Sequence, residues 1–271
     1  MSSFFENKVV WITGASSGLG EALAKEFASE KAKLILSARR ESELQRVKKE
    51  CAKFISESTI LILPLDVTHL SNADAETHKV IEKFGRIDIL INNAGIAQRS
   101  YAGDTPIDVE RKIMEVNYFG TIILTKSVLQ EMRKQKSGNI VSISSILGKL
   151  GFPGRSSYSA AKHALHGYFE SMRIEEQFNN IKVHIICPGY VKTNVSVNAV
   201  NEKGESHNKM DKGQEKGMDP HIAARKILSA IRNNRYETFF GGMEMFSITV
   251  KRFFPSLFYR LIMKAGKPKF S

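Results

Sequence analysis

Two side chains stand out for the chemistry that their spacing permits. Tyr158 and Lys162 lie four residues apart in a segment of helical period, so on a helix they share one face and can reach one small molecule. A phenol in water has a pKa of about 10, which makes it a poor acid or base at neutral pH; a nearby ammonium lowers that value by favouring the phenolate. Lys162 can supply that charge. The pair is therefore a candidate for passing a proton to or from a carbonyl or alcohol oxygen. The bare spacing equally fits a solvated helix face, so its context must decide.

A second constellation is Thr13-Gly14-Ala15-Ser16-Ser17-Gly18-Leu19-Gly20. It follows an apolar run of strand length and opens a helical segment. Glycine removes the Cβ that would hold a backbone away from a pyrophosphate, and a helix N-terminus offers unpaired N–H groups to phosphates. Gly14, Ser16, Ser17, Gly18, Leu19 and Gly20 are thus expected around a dinucleotide. At the end of the second apolar run stand Arg39 and Arg40, with no carboxylate before Glu41. An acidic residue there would suit the ribose hydroxyls of NAD, whereas guanidinium forks suit a 2'-phosphate. NADP(H) is the preferred cofactor on this reading, with NAD(H) as the alternative.

These residues need a scaffold, and the hydrophobic pattern supplies one. Apolar runs of strand length at 8–13, 33–38, 59–65, 87–92, 139–144 and 182–187 alternate with helical segments at 19–29, 41–54, 72–84, 106–132 and 157–178. The runs are continuously apolar, as expected for strands covered on both faces. A helix at 220–233 and a short strand at 236–240 would complete a single Rossmann-type, doubly wound α/β domain with a seven-stranded parallel sheet over 1–242. Residues 190–217 are polar and predict a long mobile loop at a strand's carboxyl end. Residues 243–271 predict an apolar and basic C-terminal extension of the same domain. Its phenylalanines Phe253, Phe254 and Phe258 and cations Lys251, Arg252, Arg260 and Lys264 suit a membrane interface, a flap over the substrate mouth that also dimerises, or simple packing on the domain. Pro255 should break that helix, and no apolar stretch reaches the roughly 18 residues of a spanning helix.

Composition narrows the remaining classes. A chain of 271 residues is long enough for one large core. The net charge of +12 is spread along the chain, with no zinc-finger spacing and no basic aromatic strip, so nucleic-acid binding is not expected. Cys51 and Cys187 have neither metal-ligand nor redox spacing, and no metal site is expected. The cysteine usage fits a reducing compartment, and no leader-like run precedes the first strand, so a cytoplasmic protein, with peripheral membrane contact through the tail as an option, is expected.

Taken in order, these motifs resemble those of the short-chain dehydrogenase/reductase superfamily over residues 7–240. They comprise Thr13 to Gly20, Asp66-Val67, Asn92-Asn93-Ala94-Gly95, Asn117, Ser144-Ser145, Tyr158-Ser159-Ala160-Ala161-Lys162 and Pro188-Gly189-Tyr190-Val191-Lys192-Thr193. The resemblance implies Ser145 as the serine thirteen positions before Tyr158, donating to the substrate carbonyl oxygen as that atom gains charge. It implies that Lys162 also reaches the nicotinamide ribose and that Asn117 holds a water linking Lys162 to solvent. It further implies that Ser17, Leu19, Arg39, Asp66, Val67, Asn93, Ala94, Gly95, Val191 and Thr193 contact the cofactor, within motifs that include Pro188 and Gly189. Ser16 stands where NADP-preferring relatives often carry a basic residue. Within the superfamily the chain is similar to the branch holding the dehydrogenase/reductase member 7 proteins and 11β-hydroxysteroid dehydrogenases. That likeness implies a lipophilic ketone, aldehyde or alcohol as substrate and a homodimer or homotetramer. Two other readings stay open: a 3-oxoacyl thioester reductase docking an acidic carrier through its basic surface, and a membrane-docked nucleotide-binding protein without turnover.

Overall fold

A computed structural model describes residues 3–265. Its strands β1 (Val9–Thr13), β2 (Lys33–Ser37), β3 (Ile60–Ile62), β4 (Ile89–Asn92), β5 (Gly138–Ile143), β6 (Ile181–Pro188) and β7 (Glu237–Phe240) form one sheet in the order β3-β2-β1-β4-β5-β6-β7, and every pairing is parallel.

The continuous apolar character of these strands follows from their two covered faces. In β1, Val10 and Ile12 point into one core with Leu23 and Phe27 of helix α1 (Gly18–Ser29), Leu44 and Val47 of α2 (Glu41–Cys51) and, from further along the chain, Ile227 and Ile231. Val9 and Trp11 point into the other, with Val80 of α3 (Ala73–Phe84) and with Leu124, Val128, Leu165 and Phe169 of later helices. The buried Trp11 indole N–H donates to Ser37 Oγ at 2.9 Å, so this large core residue leaves no polar atom unpaired.

The expected single helix over 106–132 divides into α4 (Ile107–Met114), a π-helical turn (Glu115–Phe119) and α5 (Gly120–Gln135). The long helix α6 (Ser156–Glu175) follows β5. Residues 190–217, expected to form a loop without structure of its own, carry a short helix α7 (Lys212–Glu215) and isolated bridges from Gln98 to Val200 and from Val191 to Met218. Small residues in this polar stretch, Ser196, Ala199 and Val200, are buried and pin it down. Helix α8 (Pro220–Arg232) begins with Asp219, whose carboxylate accepts from the N–H groups of His221 and Ile222, and with Pro220 in the first turn, where a missing N–H costs nothing.

The tail forms α9 (Phe246–Phe253) and α10 (Pro255–Ala265), divided at Pro255 as its fixed φ and absent N–H require. Phe258 is buried, whereas Phe246, Phe253, Phe254, Leu257 and Leu261 are exposed. The side chain of Lys264 and residues 266–271 of the expected extension lie outside the described residues. No helix among the described residues is long and apolar enough to cross a membrane.

Candidate active site

In this strand order the chain reverses direction across the sheet between β1 and β4, and a crevice opens at the carboxyl ends of the strands. There lies a cavity of about 1170 Å³. Every site residue expected from the sequence lines it: Gly14, Ser16, Ser17, Gly18, Leu19 and Gly20 after β1; Arg39 and Arg40 after β2; Asp66 and Val67; Asn93, Ala94 and Gly95 after β4; Asn117; Ser145; Tyr158 and Lys162; and Pro188, Gly189, Val191 and Thr193 after β6.

The glycine turn is built for close approach. Gly14 and Gly18 have φ of +65° and +58°, and a Cβ on Gly20 would fall 2.1 Å from the Gly14 carbonyl oxygen. The turn is fastened to the loop after β4, because Thr13 Oγ1 accepts from the N–H groups of Asn93 and Ala94, both at 3.0 Å, and Asn93 Nδ2 donates to the Thr13 carbonyl at 2.9 Å. Its outer side is braced by Arg46, which donates to the Ser16 carbonyl while paired with Glu21. Bare backbone at the start of α1 fits a pyrophosphate, and the exposed guanidiniums of Arg39 and Arg40 border the same cleft. Burial raises the Asp66 carboxyl, but the Thr68 hydrogen bonds, Arg39 and His69 outweigh it and hold the group below its ordinary value.

On α6 the two predicted side chains do meet. Lys162 Nζ lies 5.6 Å from the centroid of the Tyr158 ring and donates to the Ile143 carbonyl at 2.8 Å. Burial pushes the Lys162 ammonium down to about 8. Spacing alone predicts a lowered Tyr158 phenol; in the folded site burial reverses the sign and raises it, opposed by the Ser145 hydrogen bond and by the charges of Arg99 and Arg155. Ser145 follows β5 and caps a turn by accepting from the Leu147 N–H at 3.2 Å. Its neighbour Ser144 faces away, 3.1 Å from His166 Nε2.

Asn117 sits in the π-helical turn, a distortion that re-aims a side chain. Its Nδ2 donates to the carbonyls of Ile96 and Ile113, both at 2.9 Å. Its Oδ1 is buried and meets no donor among the described residues. A Cβ on Gly95 would lie 2.7 Å from that oxygen and 3.7 Å from Lys162 Nζ, so Gly95 keeps the space between them clear.

Sequence reasoning missed Gln98. Its side chain is fully buried, and its Oε1 accepts from the N–H groups of Ser157 and Tyr158 at 2.8 and 3.2 Å, capping α6 from another part of the chain. It also missed Arg99, Arg155 and Asp211, which line the cavity beside Tyr158. No motif flags these four, because their partners are 56 to 112 positions away. Behind the site, ligand-type atoms of His166, Cys187 and Glu237 lie within 4.8 Å of one another. Lys149 Nζ, 2.8 Å from Glu237 Oε1, already balances that carboxylate, and burial keeps the Cys187 thiol protonated.

Similarity to known proteins places the chain in a family. The family model described as short chain dehydrogenase matches residues 8–204. Dehydrogenase/reductase SDR family protein 7-like of Anopheles gambiae is 48% identical over 227 residues, spanning 83% of this chain and 72% of that protein. Human dehydrogenase/reductase SDR family member 7 is 40% identical over 265 residues, spanning 96% of this chain and 78% of the relative. A solved short-chain dehydrogenase from Streptomyces avermitilis superimposes with a TM-score of 0.80 at 30% identity over 94% of this chain and 96% of its own. The chain belongs to the short-chain dehydrogenase/reductase family, and it is an oxidoreductase acting on alcohols and carbonyl compounds.

Proposed function

We propose that the protein is an NADP(H)-dependent carbonyl reductase of lipophilic ketones or aldehydes, within a catalytic domain over 1–242 that the extension from 243 completes. The observation that carries the reading is the meeting of Tyr158, Lys162 and Ser145 in one cavity with the glycine turn and Arg39. When bound, the nicotinamide supplies the hydride. Ser145 donates a hydrogen bond to the carbonyl oxygen as charge develops there, and Tyr158 delivers the proton to the same oxygen. Lys162 holds the ammonium that favours the phenolate left behind and positions the nicotinamide ribose. Asn117 Oδ1 and Lys162 Nζ, with the clear space at Gly95 between them, suit a water that returns the proton from solvent.

Arg39, with Arg40 beside it, is assigned to the 2'-phosphate, and Asp66 and Val67 to the adenine. Thr193, whose methyl lies beside Gly18, is assigned with Val191 to the nicotinamide end. Leu150, Phe152 and Ile262 give the substrate side an apolar wall. A homo-oligomer through the helices around Asn117 and Tyr158 is supported by the exposed Phe119 of the π-helical turn and Ile123 of α5, and membrane contact by the exposed aromatic residues of α9 and α10. Incubating the protein with NADPH and a panel of hydrophobic ketones, with loss of NADPH absorbance as readout, tests the reading. Turnover is expected, and its absence across the panel with NADPH bound would favour a nucleotide-binding role alone.

A further inference from the structure

The substrate side of the cavity carries charge that the proposed proton transfer does not consume. Arg99, on the loop after β4, donates through Nε and Nη2 to Oδ2 of Asp211 at 3.0 and 2.5 Å. Arg155, at the start of α6, donates through Nη2 to that same oxygen at 3.2 Å. Their other hydrogen bonds go to main-chain carbonyls, Arg99 Nη1 to Gln98 at 2.6 Å and Arg155 Nη1 to Gly154 at 2.9 Å. Two guanidiniums thus share one carboxylate oxygen. The side chains of Arg99 and Arg155 are only 5% and 13% exposed, so water offsets little of the excess. Another cavity carboxylate, Glu244, is engaged elsewhere, accepting from the N–H groups of Tyr190 and Gly242 at 3.0 Å each. Burial, and then Arg99, lower the pKa of Arg155 to about 10, which Asp211 only partly opposes.

Uncompensated cations in a desolvated wall attract an anion, and paired guanidinium forks match the oxygens of a carboxylate or phosphate. We infer that Arg99 and Arg155 bind an anionic group on the substrate molecule whose carbonyl meets Tyr158. The substrate is then amphiphilic, an apolar oxo compound bearing a carboxylate or a phosphate monoester, and Leu150, Phe152 and Ile262 cover its apolar part. This deepens the carbonyl-reductase reading and rests on it. A purely structural role, in which the arginines only clamp the 190–217 segment to α6, predicts no preference for charge.

The experiment compares three ketones with one apolar skeleton: a keto acid, its methyl ester and a keto phosphate monoester. Specificity is read as kcat/KM for an anion divided by that for the ester. The ratio is expected to be at least about tenfold in the wild type and to fall about tenfold in Arg155→Gln, as loss of one charged hydrogen-bonding group implies. Asp211→Asn, which removes the competing carboxylate, should hold or raise it. If Arg155→Gln fails to fold, Arg155→Lys keeps the charge and loses the fork, and a lower ratio is again expected. The acid and phosphate arms show which anion is preferred. Calorimetric binding of the same compounds to the NADPH-saturated protein reads the preference without turnover, so failure of hydride transfer and failure of anion recognition are distinguishable. A wild-type ratio near unity, or a ratio unchanged in folded Arg155→Gln, overturns the inference.

Discussion

Lys162 Nζ hangs over the ring of Tyr158 with its centroid 5.6 Å away, and the ammonium is matched by the Ile143 carbonyl at 2.8 Å. Burial depresses its pKa to about 8, so holding the charge opposes folding at neutral pH. The sign follows from linkage: the cost is complete below about 8, is relieved as the folded-state amine loses its proton, and is gone near the unfolded value of about 10.4. Lys162→Met should therefore raise the Tm of the cofactor-free protein by a few degrees at pH 7, with the gain vanishing toward pH 10, while reductase activity is lost. Thermal unfolding of both proteins across pH checks this; a lower Tm for the variant at pH 7 would show that the bond to Ile143 outweighs the charge cost.

On the proposed reading the same ionisation bears on the rate. Reductase kcat/KM for NADPH should decline as pH rises through about 8, because the group that stabilises the Tyr158 phenolate is neutralised in the free protein. A pH profile of kcat/KM for NADPH measures this limb, and a flat profile through pH 9 would separate Lys162 from the proton transfer.

Gln98 caps α6 at the turn that carries Tyr158. Gln98→Leu leaves two buried N–H groups without an acceptor and should destabilise the fold by about 2 kcal/mol. Urea unfolding measures the loss, and an unchanged midpoint would mean that the helix start finds another acceptor.

Arg39 is the residue on which cofactor preference is expected to turn. Arg39→Ala should lower kcat/KM for NADPH relative to NADH by about tenfold, the scale of one exposed charge-assisted contact. Equal effects on both cofactors would move the 2'-phosphate contact elsewhere, with Arg40 the next candidate.

Much of this was legible in the sequence, and the physical reason is local. Strands buried on both faces have to read as continuous apolar runs, and the glycine turn, Tyr158 and Lys162 stand in short motifs whose spacing is visible along the chain. Pro255 divided the tail as its ring requires. What escaped depends on distant partners. The π-helical turn at Asn117 interrupts a segment whose apolar period continues on both sides, and the contacts of residues 190–217 come from Val200 bridging to Gln98 and Gln214 donating to Val191 and Thr193. The Tyr158 phenol went the other way from its spacing because burial is a property of the packed cavity, not of the helix face.

On the proposed reading, Tyr158 hands the proton to a carbonyl oxygen reduced with NADPH. Its most direct test is single-turnover reduction of an accepted ketone by wild type and by Tyr158→Phe, with NADPH binding followed by fluorescence in the same samples. The variant is expected to bind NADPH still and to reduce the ketone about a thousandfold more slowly, within the range for loss of a general acid. Full-rate reduction by Tyr158→Phe would contradict it.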